Sequence, residues 1–214
     1  MANTTTCPKP PSTWSAGSTW RSKRPRSWPR TRKSVLSRLG TLCSVAIASA
    51  AVAGAMPAQA ASLDELTREA VFDLCPDLME IETPLQDEPA IKARGYDFVG
   101  SREHHRAGHL DVVSLEADNG TIQIANSRDT SFCQVSLFGQ GAQSAFASSY
   151  ADRDVLADGW FEDPAAILEI KGAEMQSLRT PAFDGWYLGV QFVDMTALVD
   201  EAAFVIQQYV LEEE

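Results

Sequence analysis

Acidic residues are absent from the first 60 residues of this 214-residue chain, and basic residues are scarce in the remainder. Residues 1–60 hold nine of the 18 lysines and arginines, while residues 61–214 hold the other nine together with all 29 acids. Residues 61–214 therefore carry a net charge of −20. Because such a surface repels phosphate backbones and anionic lipids, we expect no nucleic-acid partner and no binding to anionic membranes.

The sequence also lacks the short motifs that mark several large enzyme classes. It has no G-x-S-x-G elbow, no G-x-x-x-x-G-K-[ST] loop and no G-x-G-x-x-G after a strand. The chain is therefore predicted to be a non-enzymatic binding or interaction module for a protein or a small ligand, without a cofactor. A related hypothesis is an inhibitor whose acidic surface meets a basic partner, which would make the complex sensitive to salt.

An apolar run of small residues occupies residues 39–60 and follows a basic segment. It ends in Ala58-Gln59-Ala60, a small-x-small cleavage site. This combination predicts a secretory signal peptide at residues 35–60, cleaved after Ala60, and a periplasmic or secreted protein. A transmembrane anchor is the alternative, but the small residues and Pro57 disfavour it, so we expect no stable membrane span after cleavage.

Residues 1–34 are rich in proline, tryptophan, serine and arginine and show no periodicity. We interpret them as a disordered basic extension. If translation began at Val35, the signal peptide would have an ordinary length, so our hypothesis is a start codon assigned too far upstream. Residues 31–36 also approximate a twin-arginine export motif, except that Lys33 stands where the second arginine belongs.

Only two of the four cysteines, Cys75 and Cys133, lie beyond the predicted cleavage site. An even cysteine count in an exported protein predicts a disulfide. On the chain-entropy model, closing a loop of this length would stabilise the fold by about 4 kcal/mol. The alternative is a pair of buried free thiols.

Residues 61–214 are predicted to form a single α+β domain. Its mostly antiparallel sheet of about five to seven strands would pack against N-terminal, middle and C-terminal helices, with one disulfide. Strands are predicted at residues 96–101, 110–117, 121–127, 131–138, 174–178 and 185–194. Residues 166–170 are predicted as a further strand, with a helix over 164–170 as the alternative. A two-residue hairpin turn at Asn119-Gly120, which needs positive φ, is predicted to join two of these strands, and residues 102–109 are predicted to form a loop.

Helices are predicted from their caps and their apolar spacing. Ser62 and Glu65 form a capping box for a helix at residues 63–74, which Pro76 is expected to end. Further helices are predicted at residues 89–94 and 142–151. Asp194 is predicted to cap a last helix at residues 195–211.

The three histidines lie within six residues, at His104, His105 and His109. Imidazole suits zinc and copper, so the second functional hypothesis is a metal-binding protein or a metal-dependent hydrolase that uses this loop. The alternative is a polar loop that contains histidine without binding metal.

Two similar tetrads, each an Asp-Gly-Trp followed by an aromatic residue, form the other candidate site. Their aromatic residues, Trp160, Phe161, Trp186 and Tyr187, could line a groove for a sugar or a peptide. The alternative is that Trp186 lies in the core and Trp160 closes its edge.

Overall fold

The computed structural model describes residues 61–104, 106–163, 172–183, 185–199 and 203–212. The strands are β1 (Asp97–His104), β2 (Gly108–Ala117), β3 (Gly120–Ser127), β4 (Phe132–Phe138), β5 (Phe161–Glu162), β6 (Glu174–Phe183), β7 (Trp186–Asp194) and β8 (Ala203–Glu212). They form one antiparallel sheet in the order β1-β2-β3-β4-β8-β7-β6-β5. The predicted antiparallel α+β architecture is confirmed, but the sheet has eight strands instead of about five to seven.

Helices cover one face of this sheet, which we call the helical face. They are α1 (Leu63–Glu69), a π-helical turn (Ala70–Leu74), α2 (Cys75–Leu78), α3 (Pro89–Ala93) and α4 (Ala142–Ala151). The predicted first, short and middle helices are thus confirmed, and the capping box at the start of α1 is present. In the described part of the chain, no helix combines the length and the apolar composition needed to cross a membrane.

The prediction that the helix ends before Pro76 is wrong. A π-helical turn accommodates the proline, and the helical segment continues through it. In this turn the Cys75 amide donates to the Ala70 carbonyl, five residues back. At that spacing the next amide would donate to the Val71 carbonyl, but proline has no N–H. The Gln208 side chain, reaching from β8, donates to that carbonyl instead, with an Nε2–O distance of 2.6 Å. The buried carbonyl is therefore satisfied and the helix continues.

The predicted C-terminal helix is wrong, because residues 203–212 form β8 at the centre of the sheet. Every residue from 203 to 210 is buried. A strand covered on both faces has an almost continuous apolar sequence, and a helical spacing such as Val205 to Tyr209 can be found within it by chance. Leu198, which falls within the predicted helix, is apolar but 43% exposed. Asp194 does not cap a helix but accepts hydrogen bonds from Thr196.

The predicted turn at Asn119-Gly120 is also wrong. Gly120 belongs to β3 and pairs with Ala117, so the turn residues are Asp118 and Asn119. Positive φ occurs only at glycines in the described residues, and Gly120 is not among them. Gly120 is needed for close packing, since a Cβ there would lie 2.2 Å from the Phe138 carbonyl oxygen.

The segment predicted as a loop at residues 102–109 is largely strand. β1 continues to His104 and β2 begins at Gly108, so only three residues connect them. Gly108 has a φ of 72°, and this left-handed conformation lets the chain reverse within so short a turn. The prediction for residues 166–170 lies outside the described residues.

The predicted disulfide between Cys75 and Cys133 is present, with a Cα–Cα distance of 5.5 Å. Both cysteines are completely buried. The bond joins α2 to β4, next to the central strand β8, and so fixes the N-terminal helices to the middle of the sheet. The core between them is built from the helices and the inward residues of the strands.

Candidate functional site

A groove opens at the side of the helical face, between α4 and strands β5, β6 and β7. We call it the acidic groove. It is lined by Phe146, Ala147, Tyr150, Glu162, Glu174, Met175, Gln176, Phe192 and Asp194. Helix α4 supplies one wall and the three strands supply the other. The groove therefore depends on the packing of α4 against the sheet.

Three aromatic rings form the floor of the acidic groove. The Phe192 ring is almost fully buried, and it meets Phe146 edge to face at 5.7 Å and Tyr150 edge to face at 5.1 Å. Phe146 also packs on Phe204, at a centroid distance of 4.8 Å. Aromatic faces are electron-rich, so a floor of this kind attracts organic cations.

Carboxylates form the rim of the acidic groove. Glu174 on β6 lies directly opposite Asp194 on β7 in the sheet register, and Glu162 on β5 belongs to the same groove. Like charges directly opposite each other in a sheet are destabilising. Among the described residues, none of the three carboxylates has an ion pair with lysine, arginine or histidine. In the described part of the chain, the rim is therefore a concentration of negative charge without a paired cation.

A cation already contacts one ring of the groove from outside. The guanidinium carbon of Arg153 lies 4.6 Å from the centre of the Tyr150 ring, and its Nη1 donates to the Tyr150 carbonyl. This contact places the guanidinium of Arg153 on the Tyr150 ring. It also fixes the orientation of Tyr150 at the end of α4.

Sequence reasoning did not find this site. The strands that contain Glu174 and Asp194 were both predicted, but their register was not, and the two residues lie far apart in the chain. Glu162 lies on β5, a strand that was not predicted. The available signal was the position of two acids in consecutive predicted strands. Glu174 begins the strand predicted at residues 174–178, and Asp194 ends the strand predicted at residues 185–194.

The tetrad aromatics are divided between the two faces of the sheet and its edge strand. Trp160 and Trp186 pack against the main core on the helical face. Tyr187 packs with the smaller cluster on the other face, where the guanidinium carbon of Arg179 lies 5.4 Å from its ring centre. Phe161, on the edge strand β5, is 60% exposed. A ligand site at these four residues stays a prediction.

His104 and His109 lie on opposite faces of the β1–β2 hairpin. His104 Nδ1 accepts hydrogen bonds from the amides of Arg106 and Ala107, at 3.3 and 3.0 Å, and so shapes the turn. His109 lies on the other face, opposite Glu103, and its Nδ1 is 3.1 Å from Glu103 Oε1. His105 lies outside the described residues. No group of three candidate metal ligands occurs within the described ranges, and zinc or copper binding stays a prediction.

Asp111, next to His109, is a buried carboxylate that joins three parts of the fold. Its Oδ1 accepts from Ser101 Oγ at 2.9 Å, and its Oδ2 accepts from the Leu85 amide at 3.3 Å. Arg128 Nε lies 3.4 Å from Oδ2. These partners come from β1, from the 3-10 turn at Leu85–Asp87 and from the residue after β3. Asp111 therefore has a structural role in this arrangement.

Comparison of the chain with protein-family models, curated proteins and solved structures finds no match in any of the three. The function is therefore inferred from the geometry of the acidic groove and from the chemistry of its lining residues.

Proposed function

We propose that this protein is an exported, non-enzymatic binding module whose acidic groove holds a cationic group of its protein or small-molecule ligand. The observation that carries the proposal is the pairing of Glu174 with Asp194 across two strands, above an aromatic floor. Without a bound positive charge, the repulsion between these two carboxylates lowers the stability of the fold. A bound cation would remove that cost and gain attraction from both the carboxylates and the rings.

The groove favours an organic cation over a metal ion. Metal ions take oxygen or nitrogen ligands that converge on one point, and the described residues contain no such group of three. Partly exposed rings such as those of Phe146 and Tyr150 instead attract ammonium, alkylammonium and guanidinium groups. The ligand group is therefore a lysine or arginine side chain of a partner, or a small organic amine.

The lining residues support binding more than catalysis. They include three carboxylates, a methionine, a glutamine and aromatic rings, but no serine, cysteine or histidine among the described residues of the groove. A serine or cysteine nucleophile beside a histidine is a common arrangement for covalent catalysis. The described lining residues do not contain that arrangement.

Export to the periplasm or the medium is part of the same proposal. It is supported by the basic segment, the apolar run and the Ala58-Gln59-Ala60 cleavage pattern. The buried disulfide between Cys75 and Cys133 is compatible with an oxidising compartment. The net charge of −20 on residues 61–214 favours encounter with basic partners.

Calorimetric titration of residues 61–214 with tetramethylammonium and with an arginine-rich peptide tests the proposal. We expect saturable binding that weakens with salt, and an affinity about fivefold lower in Glu174→Gln, since a partly exposed charge contact contributes about 1 kcal/mol. The same substitution should raise the free energy of unfolding by about 0.5 kcal/mol, because it removes a like-charge pair.

The matched control is Asp118→Asn, which removes one negative charge at the exposed β2–β3 turn. It should leave the affinity for both probes unchanged within error. Binding that falls equally in both variants would indicate a general charge effect, and binding that survives Glu174→Gln unchanged would rule out the acidic groove.

A further inference from the structure

The outermost strand, β1, presents an open edge. Within the described ranges no strand pairs with its outer side, and most of its eight residues are exposed. Phe98 is 47% exposed and Val99 is 58% exposed, which places both among the few large apolar side chains at the surface. An exposed apolar edge strand is a template for pairing with another strand.

A β-bulge shapes this edge. The register of β1 against β2 shifts between Phe98 and Gly100, so Val99 is the extra residue. Gly100 has a φ of 147°, and a Cβ placed on it would have no described atom within 4 Å. Open space therefore lies beside Gly100, the residue that follows the exposed Val99.

The bulge also brings two opposite charges onto one face of β1. Asp97 pairs with Ser114 and Arg102 pairs with Leu110, and these two β2 positions lie on the same face because they are four residues apart. Without the extra residue, Asp97 and Arg102 would lie on opposite faces. Neither has an ion pair among the described residues.

We propose that β1 pairs with β1 of a second copy of this chain, antiparallel and about a twofold axis. The register that places Asp97 opposite Arg102 of the other copy also places Phe98 opposite Ser101 and Val99 opposite Gly100. Each copy then inserts Val99 into the open space at Gly100 of the other. An Asp97–Arg102 pair forms at each end of the contact between the two strands. The contact is isologous and the sheet continues across both copies.

Local charge supports a second copy as the occupant of this edge. β1 itself contains two acids, Asp97 and Glu103, and one base, Arg102, so its net charge is −1. That charge is small in a domain whose net charge is −20. Two copies can therefore approach through β1 without placing their acidic surfaces against each other.

Sedimentation velocity of residues 61–214 over a range of concentrations tests the pairing by charge exchange. Wild type should dimerise reversibly, and Asp97→Arg or Arg102→Asp should each weaken the dimer at least about tenfold, because each places like charges opposite each other. The double variant Asp97→Arg/Arg102→Asp should restore the wild-type dimer to within about threefold.

Asp118→Arg is the control, since it makes the same charge change at the β2–β3 turn and should not affect association. Circular dichroism of each variant establishes that it is folded. A wild type that stays monomeric at all concentrations overturns the proposal, as does a dimer that persists in both single variants. Titration of the same variants with tetramethylammonium measures ligand binding at the acidic groove independently of association between two copies.

Discussion

Replacing both Cys75 and Cys133 with alanine lowers the free energy of unfolding of residues 61–214 by about 4 kcal/mol. The bond closes a loop with a sequence separation of 58, and without it the unfolded chain gains the entropy that this closure had removed. Both cysteines are also completely buried. The N-terminal helices would then be held to β4 by packing alone.

Urea unfolding of the double alanine variant and of wild type measures this effect, and thermal unfolding should show a decrease in Tm of about 8–16 °C for a domain of this size. Wild type in strong reductant is the control, since it loses the bond but keeps the side-chain volume. A midpoint that is unchanged in both samples would contradict the structural role assigned to the disulfide.

Replacing Gly189 with alanine lowers the free energy of unfolding by about 3 kcal/mol, at the upper end for overpacking a core. Gly189 on β7 pairs directly with Tyr209 on β8, and a Cβ on Gly189 would lie 2.0 Å from Tyr209 Cε2. The ring cannot easily withdraw, because Tyr209 is buried and its hydroxyl donates to Asp163 Oδ2 at 3.3 Å. Burial, followed by the nearby Asp163, raises the pKa of Tyr209, so the hydroxyl remains a donor.

A double-mutant cycle measures this contact. In a Tyr209→Leu background the ring is absent, so Gly189→Ala should cost less than about 1 kcal/mol. The difference between the two backgrounds isolates the collision from the intrinsic effect of alanine in a strand. Equal costs in both backgrounds would show that the ring does not lie over Gly189 as described.

Local signals in the sequence were sufficient for much of the fold. Ser62 and Glu65 are three residues apart and cap α1 as expected, because a capping box depends only on neighbouring residues. Period-two alternation located β7, with Leu188 and Val190 in the main core. The cysteine count was enough to predict the disulfide, since only two cysteines were available in the domain.

The errors arise where distant residues decide local structure. Residues 203–212 form a strand because β4 and β7 bind both of its edges, which no pattern within those ten residues reveals. Pro76 remains inside a helix because Gln208 satisfies the Val71 carbonyl. In both cases tertiary contacts override a local preference.

The candidate site could not be predicted for the same reason. Glu174 and Asp194 become neighbours only through the β6–β7 register, and α4 has to pack beside them to complete the groove. Sequence reasoning selected histidines and tryptophans because those residue types are chemically distinctive. The acidic groove is instead distinguished by an arrangement of common residues.

Mapping of amide chemical shifts in residues 61–214 during titration with tetramethylammonium tests the cation-binding groove most directly. The account predicts saturable shifts concentrated at Glu162, Glu174 and Asp194 and at the end of α4 around Tyr150, with the rest of the acidic surface unaffected. Shifts that spread over all acidic residues without saturation, or that leave these four positions unchanged, would contradict it.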